Sequence, residues 1–359
     1  MKKTFKYRIY ANRDILTKTD GVLNLCRILY NLCLEQRIDA YKYHRKSISK
    51  YDQMKQLPDL KKGFPEFRKV SSQTLQDVID RLDKSYQSFF RRVKSGEKAG
   101  FPRFKGFDRY DSFTLKQAGW ELDDKYLTIK KLGKFKIRLS RPIEGVIKTV
   151  TIRRTLSNKW FVCFACDNVP DKPLPKTGKT IGIDMGCESF LTDSNNRKID
   201  NPRFLNKSQD VLLKRQQSLS RKKRGSIRRG KARLLVAKIH EKIANQRLDF
   251  HFKVANKLVK ENDIICIEKL HSWKTFRKIN RSMDDVAWFN FFNILQFKAE
   301  EAGKEVVEVP AKNTSQMCSS CGAIVKKDLS IRIHRCSCGL EIDRDYNAAL
   351  NILRLGQSL

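Results

Sequence analysis

"TIGIDMGCESFLTDSNNRKID", residues 180–200, contains three short runs that read as β-strands: "TIGIDMG", "SFLTDS" and "RKID". The first is apolar enough to be buried, yet it ends on an acid, Asp184, between Gly182 and Gly186. Glycines placed there let another backbone or a ligand come close. Toward the C-terminus the pattern predicts a long basic helical segment over about 206–260 and a strand at "DIICIE", 263–268. Next come a helix crowded with Trp288, Phe289, Phe291, Phe292, Ile294, Leu295 and Phe297 that stops near Gly303, and a strand at "KEVVEVP", 304–310. Strands mixed with helices in this order predict an α/β domain.

Upstream, "DNVPDKPLPKTGKT" (167–180) holds three prolines and no periodicity, which marks a linker and the clearest boundary in the chain. Before it the period changes twice. Phe5, Tyr7 and Ile9 alternate with polar residues as in a strand; from Asn12 to Val93 apolar residues recur at helical steps, as in Leu75, Ile79, Leu82, Tyr86 and Phe89. Between 110 and 166 the period returns to two, in Phe135, Ile137, Leu139 and in Trp160, Val162, Phe164. A β-rich module interrupted by a helical insertion is expected.

With 75 Lys and Arg against 39 Asp and Glu, the 359-residue chain carries a formal charge of +36. Self-repulsion on that scale is tolerated when a polyanion neutralises it, so nucleic acid is the expected partner. A membrane is not expected, because no apolar run approaches the roughly 20 residues needed to span a bilayer. The N-terminal "MKKTFKYRIY" has no apolar signal core, so an intracellular protein is expected. Of ten cysteines, six lie singly in apolar stretches, as buried thiols do. The others form Cys318-x2-Cys321-x14-Cys336-x-Cys338, four thiolates with Gly322 and Gly339 turning the chain after each pair. That is the ligand number of a closed tetrahedral zinc site, structural because no position is left for substrate. The second pair is one residue shorter than the commoner spacing, and His334 is an alternative ligand to Cys336.

Asp184 and Glu268 each end a buried-looking strand, and an acid there costs several kcal/mol unless it is paired or binds a cation. Singly, a salt-bridged strand end explains each. With Asp345, expected at the start of the helix "YNAALNILRL", they form a set able to hold two divalent cations against a phosphodiester, although nearby lysines and arginines offer an ordinary pairing instead. "SLSRKKRGSIRRGKARLL" (218–235) brings Arg221, Lys222, Lys223, Arg224, Arg228 and Arg229 together with no acid, which favours phosphate contact over a merely solvated face. "AGFPRFKGFDRY" (99–110) interleaves Arg103 and Lys105 with Phe101, Phe104, Phe107 and Tyr110; this suits stacking on bases, and a packed strand edge would look similar.

Four segments, "GIDMG", "CIEKL", "NTSQMCSSCG" and "CGLEIDRDYNAALNI", resemble in order the split RuvC nuclease motifs and inserted zinc ribbon of the TnpB family. These are insertion-sequence OrfB-type proteins, relatives of type V CRISPR effectors. "SSQTLQDVIDRLDKSYQSFFRRV", "GFPRFK" and "SRKKRGSIRRGKARL" are similar to family segments too. The resemblance implies a multidomain α+β and α/β chain: a wedge-like β-barrel over 1–13 and 110–168, a helical recognition lobe over 14–109 and a linker at 169–180. It implies an RNase H-like (RuvC) nuclease domain over 181–314 and 341–359, with a zinc ribbon at 315–340. It assigns Asp184, Glu268 and Asp345 to catalytic magnesium, and it matches the second acid of "DRD" in preference to Asp343. The implied activity is RNA-guided DNA cleavage, with a guide from the element's own transcript, a target DNA chosen by pairing and a short adjacent motif, and no obligate protein partner. A cytoplasmic, nucleoid-associated place in a prokaryote goes with it. The rival readings are a nuclease-inactive guided binder, a transposase, and a non-enzymatic zinc-ribbon protein.

Overall fold

The computed structural model describes residues 1–107, 109–269, 285–328 and 331–358, and the chain divides into two compact units, Met1–Pro170 and Asp171–Leu359. In the first unit, β1 (Lys3–Tyr10) buries Phe5, Tyr7 and Ile9 to within 2% exposure, as strict alternation requires. Helices α1 (Arg13–His44), α2 (Lys50–Lys55), α3 (Leu57–Gly63) and α4 (Ser72–Lys94) follow, with a 3-10 turn at Pro65–Lys69. Asn12 opens α1 by accepting the Ile15 amide, and Ser71 opens α4 by accepting that of Thr74. Arg37 pairs with Asp83 at 3.0 Å to tie α1 to α4.

Six strands complete the unit: β2 (Ser112–Leu115), β3 (Trp120–Asp123), β4 (Tyr126–Ile129), β5 (Gly133–Arg138), β6 (Val146–Arg154) and β7 (Trp160–Asp167). They join β1 in an antiparallel sheet of order β2-β6-β7-β1-β5-β4-β3. The helices are thus inserted between β1 and the rest of its own sheet. Among the described residues β2 and β3 both remain edges, so the ladder is open and not a hydrogen-bonded closed barrel.

The second unit opens with β8 (Thr180–Met185), β9 (Ser189–Asp193) and β10 (Lys198–Asp200), the three runs of the 180–200 stretch. Then come α5 (Phe204–Ser220), α6 (Ile227–Glu261), β11 (Ile264–Lys269), α7 (Trp288–Ala302), β12 (Glu305–Pro310), β13 (Ile333–Arg335), β14 (Glu341–Asp343) and α8 (Arg344–Gln357). Strand order is β10-β9-β8-β11-β12, with β8, β11 and β12 parallel and β9 and β10 antiparallel. The expected helix over 206–260 is two helices. Gly225, at φ 83°, breaks it, Ser226 caps α6, and Arg229 reaches back to donate to the Leu219 and Lys222 carbonyls.

Helix α8 lies directly on the sheet. A Cβ at Gly182 would collide with Ala349 O and Leu353 N, and one at Gly356 would collide with the Cys266 side chain. The close approach for which Gly182 makes room is that of a helix.

Candidate active site and cysteine cluster

Asp184 and Glu268 each occupy the last position but one of their strand, and Asp345 is the second residue of α8. In the parallel ladder Ile183 faces Ile267, so Asp184 and Glu268 leave the sheet side by side at one end. From the Gly182–Ala349 contact, two residues along β8 and four residues back along α8 each cover about 6 Å. Asp345 therefore arrives where Asp184 ends.

The three residues are partly exposed, and among the described residues they do not close into one group tight enough to hold an ion as the four cysteines do. Burial, then the charges of Glu268 and Asp345, push the Asp184 carboxyl well above the usual carboxylate range. Burial raises Glu268 against the opposing Thr314 hydrogen bond; burial and Asp343 raise Asp345. Arg344 offsets part of this at Asp184, and Arg332, 3.9 Å from the Asp345 carboxylate, does so at Asp345. An acid set that resists ionisation while facing solvent fits divalent cations, which supply the missing positive charge through hard oxygen ligands. Beside Asp345 is a cavity of about 650 Å3 whose walls include Lys198, Arg203, Lys207 and Arg332.

The four cysteines gather into one cluster, with all four Sγ atoms within 4.8 Å of one another. Cys318 and Cys338 are 3.7 Å apart, and Cys321 and Cys336 are 3.5 Å apart. The edge of a ZnS4 tetrahedron with 2.3 Å bonds is about 3.8 Å, so this cluster can hold a metal ion as it stands. Gly322 (φ 79°) and Gly339 (φ 90°) donate back to the carbonyls of Cys318 and Cys336, making each knuckle a tight turn. Within the cluster the thiols share protons. Cys336, accepting from the Cys338 amide, is held down to about 6 against the effect of burial. His334 is not in the cluster; it is buried, and its Nδ1 accepts from Lys327 Nζ.

Two roles escape a reading of the sequence. Asp343 caps α8 by accepting the Asp345 and Tyr346 amides, and its other oxygen pairs with Lys198 at 2.7 Å. The signal was present, since an Asp immediately before an apolar-periodic run is an N-cap signature. Asn347 and Asn351, four apart and fully buried, both donate to the Met317 carbonyl, and Asn347 accepts the Ser319 amide. The knuckle that begins at Cys318 is thereby fastened to the helix that carries Asp345.

Of the basic residues, Arg221, Lys223, Arg224 and Arg228 are exposed around the α5–α6 break, Lys222 is half-buried, and Arg229 is engaged in holding the turn. In the first unit Arg103 is exposed, whereas Lys105 is clamped to α1 through its backbone by Asn31 and Arg27. Phe101 packs edge-on against Tyr86 and Phe89, and Tyr110 is buried; Phe104 and Phe107 remain exposed.

The family model described as "Probable transposase" of OrfB/IS605 type matches residues 163–283, and the "Cas12f1-like, TNB domain" model matches 288–352. A "Helix-turn-helix domain" model of the same OrfB group matches 1–46, where this chain forms β1 and the single helix α1. A "Putative RNA-guided DNA endonuclease" of Streptomyces pristinaespiralis is 32% identical over 99% of this chain and 90% of its own length. The chain belongs to the TnpB family. A second relative, "Putative RNA-guided DNA endonuclease InsQ" of Escherichia coli K12, is 29% identical over 99% of this TnpB chain and 93% of its own. In fold, it is similar to the protein of a Cas12f1–sgRNA–target DNA complex, with a TM-score of 0.59, 14% identity and 98% of each chain covered.

Proposed function

We propose that this TnpB protein is a transposon-encoded, RNA-guided DNA endonuclease whose acids Asp184, Glu268 and Asp345 bind magnesium. The observation that carries the reading is the placement of three raised carboxyls at one end of the sheet, Asp184 and Glu268 on neighbouring strands and Asp345 on the helix packed over them, with Asp345 lining a cavity whose walls carry both signs of charge. The strand order β10-β9-β8-β11-β12, antiparallel then parallel, supports an RNase H-like (RuvC) nuclease domain over 181–314 and 341–359. On the same reading 315–340 is a zinc ribbon held by Cys318, Cys321, Cys336 and Cys338, and 169–180 is a linker. The wedge comprises 1–13 and 110–168, and the recognition lobe 14–109. The names of its relatives support guide RNA and target DNA as partners. No described helix is long and apolar enough to cross a membrane. Work on DNA places the protein at the nucleoid in a prokaryotic cytoplasm.

Magnesium, when bound, supplies the positive charge that offsets the charge developing on the attacking and leaving oxygens of the phosphodiester. The chain's own contribution is to hold Asp184 and Glu268 on a rigid sheet end and Asp345 on a capped helix. Arg203 and Lys207 on the cavity wall would attract the strand to be cut, while Lys198 and Arg332 are paired with Asp343 and Glu188. Exposed Arg103, Arg221, Lys223, Arg224 and Arg228, with Lys105 and Lys222, are assigned to backbone phosphates and supply no sequence reading, and Arg229 acts through the turn it holds.

The test is cleavage and gel shift in parallel on guide-loaded wild type and Asp184→Ala. Asp184→Ala should bind target and lose cleavage by orders of magnitude, and wild type should cut with magnesium or manganese but little with calcium. Wild-type protein that binds guided targets without cutting in any divalent metal would establish the guided-binder alternative; strand joining would establish the transposase.

A further inference from the structure

Glu268 differs from the other two acids in having a buried hydroxyl aimed at it. Thr314, 3% exposed, donates its Oγ1 proton to Glu268 Oε1, while Ala311 O lies 3.3 Å from the same hydroxyl. The charged acceptor is the stronger of the two. Glu268 faces Val309 across the β11–β12 ladder, and the chain leaving β12 reaches Thr314 within five residues, so the hydroxyl comes from the turn that directly follows the neighbouring strand. The far side of this loop is fixed as well. Asn351, fully buried on α8, donates to Thr314 O at 2.8 Å and to Met317 O at 2.7 Å.

We infer that Thr314 is a positioning residue for Glu268, held in place by Asn351, so that the element bearing Asp345 also sets the rotamer of Glu268. This rests on the reading of Glu268 as a cation ligand. A glutamate side chain has three soft torsions, and a cation site needs one of its rotamers. By engaging Oε1, the Thr314 hydroxyl selects that rotamer and leaves Oε2 free to face the site. Support of this kind, one step removed from the ion, typically carries about 10–100-fold in metal affinity or activity. The loop carbonyls cannot substitute for it, since a carbonyl can only accept.

The experiment uses full-length, guide-loaded protein in five forms: wild type, Thr314→Val, Thr314→Ser, Glu268→Gln and the Glu268→Gln, Thr314→Val double variant. Cleavage is measured against Mn2+ concentration, and bound Mn2+ is measured by paramagnetic resonance with Glu268→Gln as the blank for ions held by RNA. Thr314→Val keeps the size and loses the proton; it should weaken Mn2+ binding and raise the Mn2+ needed for cleavage about 10–100-fold, with zinc content and target binding unchanged. Thr314→Ser should restore both. In the Glu268→Gln background, Thr314→Val should cause no further loss of bound Mn2+. Wild-type Mn2+ dependence in Thr314→Val, alongside a dead Glu268→Gln, overturns the inference alone; wild-type cleavage by Glu268→Gln overturns the reading beneath it. If Thr314→Val does not fold, Thr314→Ala takes its place under the same expectations, and a serine variant as defective as the alanine one means that the methyl group, not the hydroxyl, matters.

Discussion

A carboxylate at the end of a buried strand destabilises its fold until a cation meets it, and Asp184 carries that cost most plainly. Its folded-state carboxyl lies well above the unfolded value, so the folded state holds the proton more tightly. Stability is then lost as pH rises from the unfolded value through the folded one. Asp184→Asn should therefore melt above wild type at neutral pH without divalent metal, at about 2–4 °C per kcal/mol relieved. The gap should close in acid, where wild type is protonated, and on adding magnesium; thermal melts across pH test this, and an equal gap at all pH values would contradict it. Asp343 makes the opposite case. Its carboxyl is held below the usual range by Lys198 and by the two amides it caps, against the effect of burial, so it is a satisfied group and not an available ligand. Asp343→Asn retains a good N-cap and should cleave near the wild-type rate, whereas Asp343→Ala loses a cap worth about 0.5–2 kcal/mol and should cleave more slowly. An asparagine variant as inactive as Asp184→Ala would make Asp343 a ligand.

At the level of elements, the strands were legible because burial on one face imposes a period of two, and Phe5, Tyr7 and Ile9 show it directly. Asp184, Glu268 and Asp345 were conspicuous only as a set and through the family resemblance, because a salt-bridged strand end explains either strand acid singly. The break between α5 and α6 was not, since Arg and Lys are good helix formers and one glycine inside a periodic segment is weak evidence against a helix. Thr314 and Asn351 were hidden for a different reason: what they touch is distant in sequence, and a polar residue shows its partner only when folded. The same contacts predict how the cysteine cluster reaches the acids. Cys318→Ser should remove one zinc per chain by elemental analysis. It should also speed hydrogen exchange in the first turn of α8, because Asn347 grips the carbonyl before that cysteine and the amide after it. Cleavage should fall with it. Full zinc occupancy in Cys318→Ser, or unchanged exchange in α8 once zinc is lost, would break the proposed connection.

For the whole molecule the governing quantity is +36, and the question is whether particular residues spend that charge on phosphate or whether it is diffuse. The α5–α6 break separates the two answers. Arg229 is engaged with the Leu219 and Lys222 carbonyls, so its loss would alter the hairpin as well as the charge, and it is a poor probe. Arg221, Lys223 and Arg224 are exposed, and they lie with half-buried Lys222 on a turn whose bonds use their backbone and not their side chains. Replacing these four with alanine should thus remove phosphate contacts while leaving both helices in place. Each lost contact on duplex DNA lowers the slope of log affinity against log salt by about 0.9, so the quadruple variant should flatten the slope by as much as about 3.6. The divalent requirement for cleavage should not move, because the acids are set by β8, β11 and α8 and not by this turn. Titrations of guide-loaded protein with target DNA at several salt concentrations measure the slope. An unchanged slope would mean that the run is a solvated face and that the charge acts as a diffuse field; a flattened slope with a changed metal requirement would mean that the turn reaches the cutting site.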